Sequence, residues 1–317
     1  MSNENKIPVI AVVGPTASGK TRLGIELAKM FNGEIVSADS MQIYKGMDIL
    51  TAKPTKEEMY GIVHHLIGFL NPDQNYSVAD YVENAKKVIE EIHQNGKLPI
   101  VVGGTGFYVN SLMNGITFSE NSFNDDVRAD LQKKLENEGI ESLLSELNSF
   151  DSVAAEQLKS GNAKRIIRAI EVYKTTGITI TEHNKRSVPE EKPYNDIRIG
   201  LKFQDRNILY ERINNRVDIM MKSGLLEEAR GAYFGSLSKT SKMAIGYKEL
   251  IPYFENKCSL NECVEKIKQE TRHYAKRQLT WFIRDKSIHW IDIDTVNDEN
   301  EIVNLAANLV NCYFGGF

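Results

Sequence analysis

Residues 14–21 read GPTASGKT and fit the pattern G-x-x-x-x-G-K-[ST] in full. Glycines in such a loop let backbone N–H groups turn inward and surround phosphate oxygens. Lys20 adds a positive charge, Thr21 can hold a magnesium ion, and the following helix directs its positive end at the same place. The sequence therefore predicts that a phosphate-bearing ligand binds to Gly14, Pro15, Thr16, Ala17, Ser18, Gly19, Lys20 and Thr21.

Phosphate binding by this loop does not by itself define a reaction. ATPases place an acidic residue at the end of a second apolar strand, where it helps to hold the metal. Here the apolar run Pro99–Val102 ends in Gly103 and Gly104. We therefore expect the loop to hold a pyrophosphate group without the machinery that splits ATP, which argues against a motor or a switch protein.

Polar residues follow two other predicted strands. Asp39 and Ser40 come after the strand predicted at Glu34–Ser37, and Thr105 follows the strand predicted at Leu98–Val102. Because ligands of open parallel sheets bind at the carboxyl ends of the strands, these residues should lie beside the phosphate loop. The carboxylate can hold a metal, act as a base or serve only as a turn residue, and Thr105 can cap the next helix. Position alone does not choose between these roles.

Basic residues form a group on one predicted helix and a denser group on another. Lys164 and Arg168 share a helix face with Arg165 beside them, and a solvated surface is the simpler explanation for these charges alone. From Lys266 to Lys286, basic residues alternate with aromatic ones, as suits phosphate backbones and unstacked bases. The aromatic residues of this second helix could equally form its core side. The candidates for RNA contact there are Arg272, Lys276 and Arg277.

Arg212 and Arg216 are four residues apart on a further predicted helix. At that spacing they share a face. They can reach the phosphate site or pair with acidic residues, and the sequence does not decide between these possibilities.

The elements that must position these residues form an α/β pattern interrupted by helices. Six strands are predicted, at Ile7–Val13, Glu34–Ser37, His65–Leu70, Leu98–Val102, Ile197–Phe203 and His289–Ile293. Between residues 118 and 195 strand patterns are replaced by helical ones, at Asp125–Glu138, Ile140–Asn148 and Asn162–Thr176. The sequence thus predicts an α/β fold in which residues 1–117 and 196–317 form a P-loop NTPase-like parallel-sheet core and residues 118–195 form an all-helical insertion domain.

Composition narrows the class of protein. The chain has 317 residues, enough for about two domains at roughly 150 residues each. With 41% hydrophobic and 26% charged residues it resembles ordinary globular proteins, and no apolar run approaches the ~18 residues that cross a bilayer. The start, MSNENKIPVIAVVG, lacks the parts of a secretion signal, so a cytoplasmic protein is expected. Neither a membrane nor an obligate protein partner is indicated, and a monomer is the simplest expectation.

Several segments together resemble the tRNA dimethylallyltransferase family, also called tRNA isopentenyltransferase, in its bacterial form. The resemblance spans nearly the whole chain and is carried by GPTASGKT, ADSMQIYKGMDILTAKP, GGTGFY, NAKRIIRAIEVY, RVDIMMKSGLLEE, AIGYKEL and TRHYAKRQLTWF. It implies transfer of a dimethylallyl group from dimethylallyl diphosphate to the exocyclic amine of the adenosine 3′-adjacent to a tRNA anticodon. Pyrophosphate leaves, and magnesium is the implied cofactor.

The resemblance also implies roles for individual residues. Asp39 matches the family's base, while Thr105 and Arg216 match further pyrophosphate contacts, with Arg212 close enough to compete for that assignment. The implied tRNA contacts are Asp39, Ser40, Met41 and Gln42 in the core and Lys164, Arg165, Ile166, Ile167 and Arg168 in the insertion. This chain has Leu50 where the family often has glycine, so the loop around it could be shaped differently.

Other functions fit parts of the sequence. A P-loop kinase of a small metabolite would turn over nucleotide without tRNA. An isopentenyltransferase acting on free adenine nucleotides would share the core, although the large insertion and the basic helix near the carboxyl end argue against it. An RNA-binding protein with a vestigial phosphate loop would bind tRNA without forming a product.

Overall fold

The computed structural model describes residues 6–118, 124–159 and 161–315. In these residues a sheet of six parallel strands has the order β3-β2-β4-β1-β5-β6. The strands are β1 (Pro8–Val13), β2 (Gly33–Ser37), β3 (His64–His65), β4 (Leu98–Gly103), β5 (Asn195–Lys202) and β6 (Ile288–Asp292). The predicted parallel α/β architecture is confirmed.

The described residues also form thirteen α-helices. In chain order they are α1 (Lys20–Met30), α2 (Val78–Gln94), α3 (Gly106–Met113), α4 (Asp125–Glu138), α5 (Ile140–Phe150), α6 (Ser152–Leu158), α7 (Ala163–Thr176), α8 (Ile180–Arg186), α9 (Arg206–Lys222), α10 (Leu225–Phe234), α11 (Ile251–Phe254), α12 (Leu260–Phe282) and α13 (Glu299–Phe314). Ser77 and Ser259 form capping boxes at the starts of α2 and α12. Among the described residues, no helix has both the length and the apolar character that a membrane crossing requires.

The chain divides into two compact units, residues 1–113 with 193–317 and residues 114–192. The helical unit begins and ends a few residues before the limits predicted from the sequence, because the returning strand β5 already starts at Asn195. Its core is formed by aliphatic side chains of α4, α5 and α7, including Leu131, Leu143 and Ile170. The short helices α6 and α8 in this unit are not apparent from the sequence pattern.

The register of the central strands brings their carboxyl ends together. Val13 pairs with both Gly103 and Gly200, one on each side of β1. A Cβ atom on Gly103 would lie 2.2 Å from the carbonyl oxygen of Ala38, so only glycine permits this approach between the two strand ends. The N–H of Thr105 in turn donates to the Ala38 carbonyl at 3.1 Å. Asp39 and Thr105 are consequently held in adjacent loops.

The third strand is shorter than predicted. It covers only His64 and His65, instead of His65–Leu70. Leu66 and Gly68 adopt positive φ values of 57° and 58°, which turn the chain out of the extended conformation. Leu70 rejoins the sheet edge through an isolated bridge to Tyr44.

Candidate active site

The phosphate loop joins β1 to α1 and has the backbone conformation that its glycines permit. Gly14 and Gly19 have φ values of 143° and 89°. A Cβ atom on Gly14 would lie 2.5 Å from the carbonyl oxygen of Leu201, so a larger residue would displace the loop. The Ser18 hydroxyl is buried and has no hydrogen-bond partner among the described residues. A buried, unpaired hydroxyl in such a loop is available to a ligand oxygen.

Lys20 is held inside the loop. Its ammonium donates a hydrogen bond to the carbonyl oxygen of Pro15 at 2.6 Å. Burial is the main cause that lowers its pKa, to about 7, and the positive charge of Arg216 lowers it further, whereas the negative charge of Asp39 opposes the shift. Lys20 therefore occupies a site whose electrostatics favour an incoming anion.

Asp39 organises the loop that follows β2. Its Oδ1 atom accepts backbone N–H bonds from Met41 at 2.9 Å and from Gln42 at 3.3 Å. Next to it, the Ser40 N–H donates to the Thr105 hydroxyl oxygen at 3.0 Å. The Thr105 side chain thus binds the Asp39 loop, while its carbonyl oxygen accepts the N–H groups of Tyr108 and Val109 at the start of α3.

The two arginines of α9 bind different parts of the site. Arg216 donates from Nη1 to the Thr16 hydroxyl at 3.2 Å and from Nη2 to the Ala52 carbonyl at 3.3 Å. Burial lowers its pKa, and Asp39 is the chief group that opposes this shift. Arg212 donates to the Ala17 carbonyl at 3.0 Å and lies over the ring of Phe203.

Two cavities border the phosphate loop. The first, the Asp39 cavity, has a volume of about 360 Å³. Its lining includes Asp39, Ser40, Met41, Gln42, Gly104, Lys20, Arg216 and Arg277. The Arg212 cavity, of about 720 Å³, is lined by Arg212, Gly19, Arg22, Glu58 and Tyr60 among others. Lys20, Thr21, Ala52 and Arg216 border both cavities. Lys20 and Arg216 therefore contribute to both cavities, whereas Arg212 borders only the second.

Apolar side chains form one wall of the Asp39 cavity. They come from the Ala52 loop, β4 and α9 and include Leu50, Val102, Ile213, Val217 and Met220. Leu50 is buried, and its φ angle is not in the left-handed region, so the backbone at this position does not demand glycine. The cavity thus combines charged groups at the phosphate loop with an apolar surface.

Gln278 of α12 is a site residue that the sequence analysis missed. Its Oε1 atom accepts the Thr16 N–H at 2.8 Å, and its Nε2 atom donates to the Gly104 carbonyl at 3.0 Å. Tyr274, one turn earlier, lies beside Thr105, and burial followed by the charge of Asp39 raises its pKa. The spacing of four residues places both side chains on one helix face, which is the only signal in the sequence that relates them.

The remaining basic residues of α12 differ in their availability. Arg272 donates to the Asn214 side chain at 2.6 Å and so connects α12 with α9. Lys276 and Arg277 are exposed, and Arg277 borders the Asp39 cavity while lying over the ring of Tyr274. Lys276 and Arg277 therefore remain candidates for contact with a polyanion, whereas Arg272 has a structural partner.

The predicted tRNA-binding segment of α7 also contains both exposed and buried residues. Lys164 and Arg165 are exposed, whereas Ile166 and Ile167 are buried in the core of the helical unit. The two isoleucine side chains therefore pack inside the helical unit, and the contact of this segment with tRNA stays a prediction. Arg168 pairs with the fully buried Glu171 at 3.0 Å and so has a structural function as well.

Comparisons with known proteins place the chain in a family. The family model described as IPP transferase matches residues 42–286, and the model described as isopentenyl transferase matches residues 7–68. A tRNA dimethylallyltransferase of Caldanaerobacter subterraneus is 47% identical over 299 residues, which cover 93% of this chain and 95% of that protein. The tRNA dimethylallyltransferase of Bacillus subtilis is also 47% identical, with 92% of each chain covered.

Solved structures agree with this relationship. A full-length tRNA isopentenylpyrophosphate transferase from Bacillus halodurans matches with a TM-score of 0.72 and 40% identity, covering 98% of this chain and 99% of that one. A eukaryotic dimethylallyltransferase acting on tRNA matches with a TM-score of 0.80 and 28% identity, covering 96% and 80%. The family models and the relatives agree along almost the full length of the sequence, and the chain belongs to the tRNA dimethylallyltransferase family.

Proposed function

We propose that this protein transfers a dimethylallyl group from dimethylallyl diphosphate to the N6 amine of the adenosine 3′-adjacent to a tRNA anticodon, and releases pyrophosphate. The observation that carries the proposal is the placement of Asp39 and the phosphate-loop Lys20 in one cavity that also has an apolar wall. A diphosphate, a prenyl chain and a proton acceptor are the three features that this reaction requires. Family membership supports the same chemistry.

Asp39 is the proposed base. The adenine amine is a weak nucleophile, because its lone pair is delocalised into the ring, and it must lose a proton as the new C–N bond forms. The N–H groups of Met41 and Gln42 fix the Oδ1 atom of Asp39 and thereby set the direction of the carboxylate. The Ser40 N–H binds the Thr105 hydroxyl oxygen, which holds the adjacent backbone. Ser40 and Gln42 fix the target base beside Asp39.

Donors of the phosphate loop stabilise the leaving group. Negative charge accumulates on the diphosphate as its bond to the allylic carbon breaks, so donors that bind this charge more tightly in the transition state lower the barrier. Lys20, Ser18 and Arg216 are the side chains that supply them, with the backbone N–H groups of residues 18–21. Arg216 fits this role better than Arg212, since Arg216 borders both cavities.

Magnesium is the proposed cofactor, with Thr21 as its protein ligand. Thr21 borders both cavities beside Lys20. Within the described parts of the chain, no group of three or more His, Cys, Asp or Glu residues could hold a metal ion. The Thr21 hydroxyl oxygen next to a bound diphosphate fits Mg²⁺, which keeps several waters and commonly binds through substrate phosphates and one or two protein oxygens. When bound there, the ion would neutralise part of the diphosphate charge.

The adenine that receives the prenyl group enters the Asp39 cavity after it has left the stack of the anticodon loop. An adenosine stacked in the anticodon loop cannot place its amine beside a cavity carboxylate, so the base must leave the stack. We assign Lys276 and Arg277 of the core unit, and Lys164 and Arg165 of the helical unit, as phosphate contacts because all four are exposed. The helical unit is the proposed binding element for the anticodon stem-loop, and no protein partner is required.

The test is a transfer assay with unmodified tRNA, magnesium and dimethylallyl diphosphate carrying a label in the prenyl group. We expect label on the nucleoside 3′-adjacent to the anticodon, and none on a matched tRNA that has guanosine at that position. Chelation of the metal should stop the transfer, and added magnesium should restore it.

Parallel reactions separate the other functions. Label on free AMP at a rate equal to that on tRNA would favour an isopentenyltransferase of free nucleotides. Nucleotide turnover with a small metabolite and no transfer to tRNA would favour a kinase. Tight tRNA binding without any labelled product would indicate an RNA-binding protein, and either of the last two results would reject the proposal.

A further inference from the structure

The carboxylate of Glu228 binds a turn that is remote in the sequence. Glu228 lies in the first turn of α10, and its Oε2 atom accepts the N–H groups of Asp48 at 2.9 Å and Ile49 at 3.0 Å. Its Oε1 atom accepts the N–H of Leu50 at 2.7 Å. Three charge-assisted bonds from consecutive N–H groups fix the conformation of this turn.

The residues that follow the turn supply carbonyl groups to the candidate active site. The Gln42 amide donates to the carbonyls of Thr51 and Ala52 at 3.3 and 3.2 Å. The Arg216 guanidinium donates to the same Ala52 carbonyl at 3.3 Å. The carbonyls of Thr51 and Ala52 therefore hold Gln42, which lies near the proposed base, and Arg216, which lies at the phosphate loop.

Ala52 has a backbone conformation that requires support. Its φ angle is 48°, in the left-handed region that non-glycine residues rarely adopt. Such a conformation persists only where the surrounding structure holds it. The N–H of Ala52 donates to the Ile49 carbonyl at 2.9 Å, within the turn that Glu228 binds. The direction of the Ala52 carbonyl thus depends on the turn at residues 48–50.

We propose that Glu228 is a positioning residue of the transfer reaction, acting through residues 48–52 on Gln42 and Arg216. The kinetic part of this inference rests on the proposed function. The part that concerns Arg216 also predicts an effect on pyrophosphate binding, which can be measured without any transfer. A purely structural tether would lower the melting temperature and leave both properties of the folded protein unchanged.

The test compares Glu228→Gln with the matched control Glu227→Gln. In Glu228→Gln an amide NH₂ replaces one of the two acceptor oxygens and faces backbone N–H groups, so the turn loses at least one bond. Glu227 is the exposed neighbour in the same helical turn. We expect Glu228→Gln to lower kcat about tenfold and to weaken pyrophosphate binding about tenfold, since small misplacements of catalytic groups have effects of this size. Glu227→Gln should match the wild type in both.

A double-mutant cycle with Arg216→Lys tests the route of the effect. If Glu228 acts on the diphosphate through Arg216, adding Glu228→Gln to Arg216→Lys should change pyrophosphate affinity less than about twofold. Equal losses in both backgrounds would overturn the inference, as would wild-type kcat and affinity in Glu228→Gln.

Melting curves and the wild-type transfer assay are the two controls for these results. Melting curves show whether each variant is folded at the assay temperature, and where Glu228→Gln is not, Glu228→Asp is judged by the same criteria. If the wild type did not transfer the prenyl group, the proposed function would be refuted. The role of Glu228 would still be tested, because the double-mutant cycle measures pyrophosphate affinity without any transfer.

Discussion

Asp39 and Lys20 line one cavity, and the negative charge of Asp39 opposes the lowering of the Lys20 pKa by burial and by Arg216. The ammonium is thus poised between its charged and neutral forms near pH 7 in the protein without ligand. A bound anion favours the charged form, so phosphate binding and proton binding at Lys20 are coupled.

This coupling predicts proton uptake when pyrophosphate binds. At pH 8 the unliganded Lys20 side chain is mostly neutral, since its pKa is about 7, and it must become charged beside the anion. Calorimetry without metal, in buffers of different ionisation enthalpy, should show greater proton uptake for the wild type than for Lys20→Arg. Arginine keeps the charge but does not titrate, and proton exchange by pyrophosphate itself is common to both proteins. Equal uptake would contradict a depressed Lys20 pKa.

The same shift affects stability in a defined direction. A lysine whose folded-state pKa is about 7, against 10.5 in the unfolded chain, makes the unfolded state bind more protons between these values. The Lys20 contribution to the free energy of unfolding should therefore rise as pH rises from about 7 to about 10.5. Denaturant unfolding of wild type and Lys20→Met at both ends of this range measures it, and a constant difference between them would contradict the coupling.

Asp39→Asn should reduce kcat by at least about a hundredfold, because an amide cannot accept the amine proton. Asparagine keeps an oxygen for the N–H groups of Met41 and Gln42, so the loop should survive. Pyrophosphate and tRNA affinities should remain near those of the wild type. The exposed Asp73→Asn serves as the control. Near-normal turnover in Asp39→Asn would reject the role of Asp39 as the base.

Gln278→Leu should destabilise the protein by about 1–3 kcal/mol and weaken pyrophosphate binding. The substitution removes the partner of the Thr16 N–H in the phosphate loop and the partner of the Gly104 carbonyl after β4. Chemical denaturation and calorimetry measure the two effects. Gln269→Leu, at an exposed position of the same helix, is the matched control. Unchanged stability would show that the two backbone groups find other partners.

Lys164→Ala combined with Arg165→Ala should weaken tRNA binding and flatten its dependence on salt. Each lost phosphate contact reduces the slope of log K against log salt by about 0.7 to 0.9. Arg168 is unsuitable for this test, because its bond to Glu171 also stabilises the helical unit. Lys133→Ala with Lys159→Ala, two exposed charges of the same unit, gives the control. If the slope of log K against log salt equals that of the wild type, Lys164 and Arg165 do not contact tRNA phosphates and are only solvated surface residues.

Much of the architecture was predictable because its signals are local. Alternation of apolar strands with amphipathic helices indicates a parallel α/β sheet, and the capping boxes at Ser77 and Ser259 mark helix starts within four residues of sequence. The strand predicted at His65–Leu70 was wrong beyond its start, since positive φ values at Leu66 and Gly68 are not apparent from residue types alone.

The sequence by itself determined the phosphate loop, the order of the strands along the chain and the family, because glycine spacing and motif order are properties of contiguous residues. Only the tertiary structure decided that Gln278 bonds to the loop, that Glu228 holds the turn at residues 48–50, and that Ile166 and Ile167 belong to a core. Helical periodicity shows that a face is apolar or polar, but the neighbour that covers it comes from packing between segments far apart in the chain.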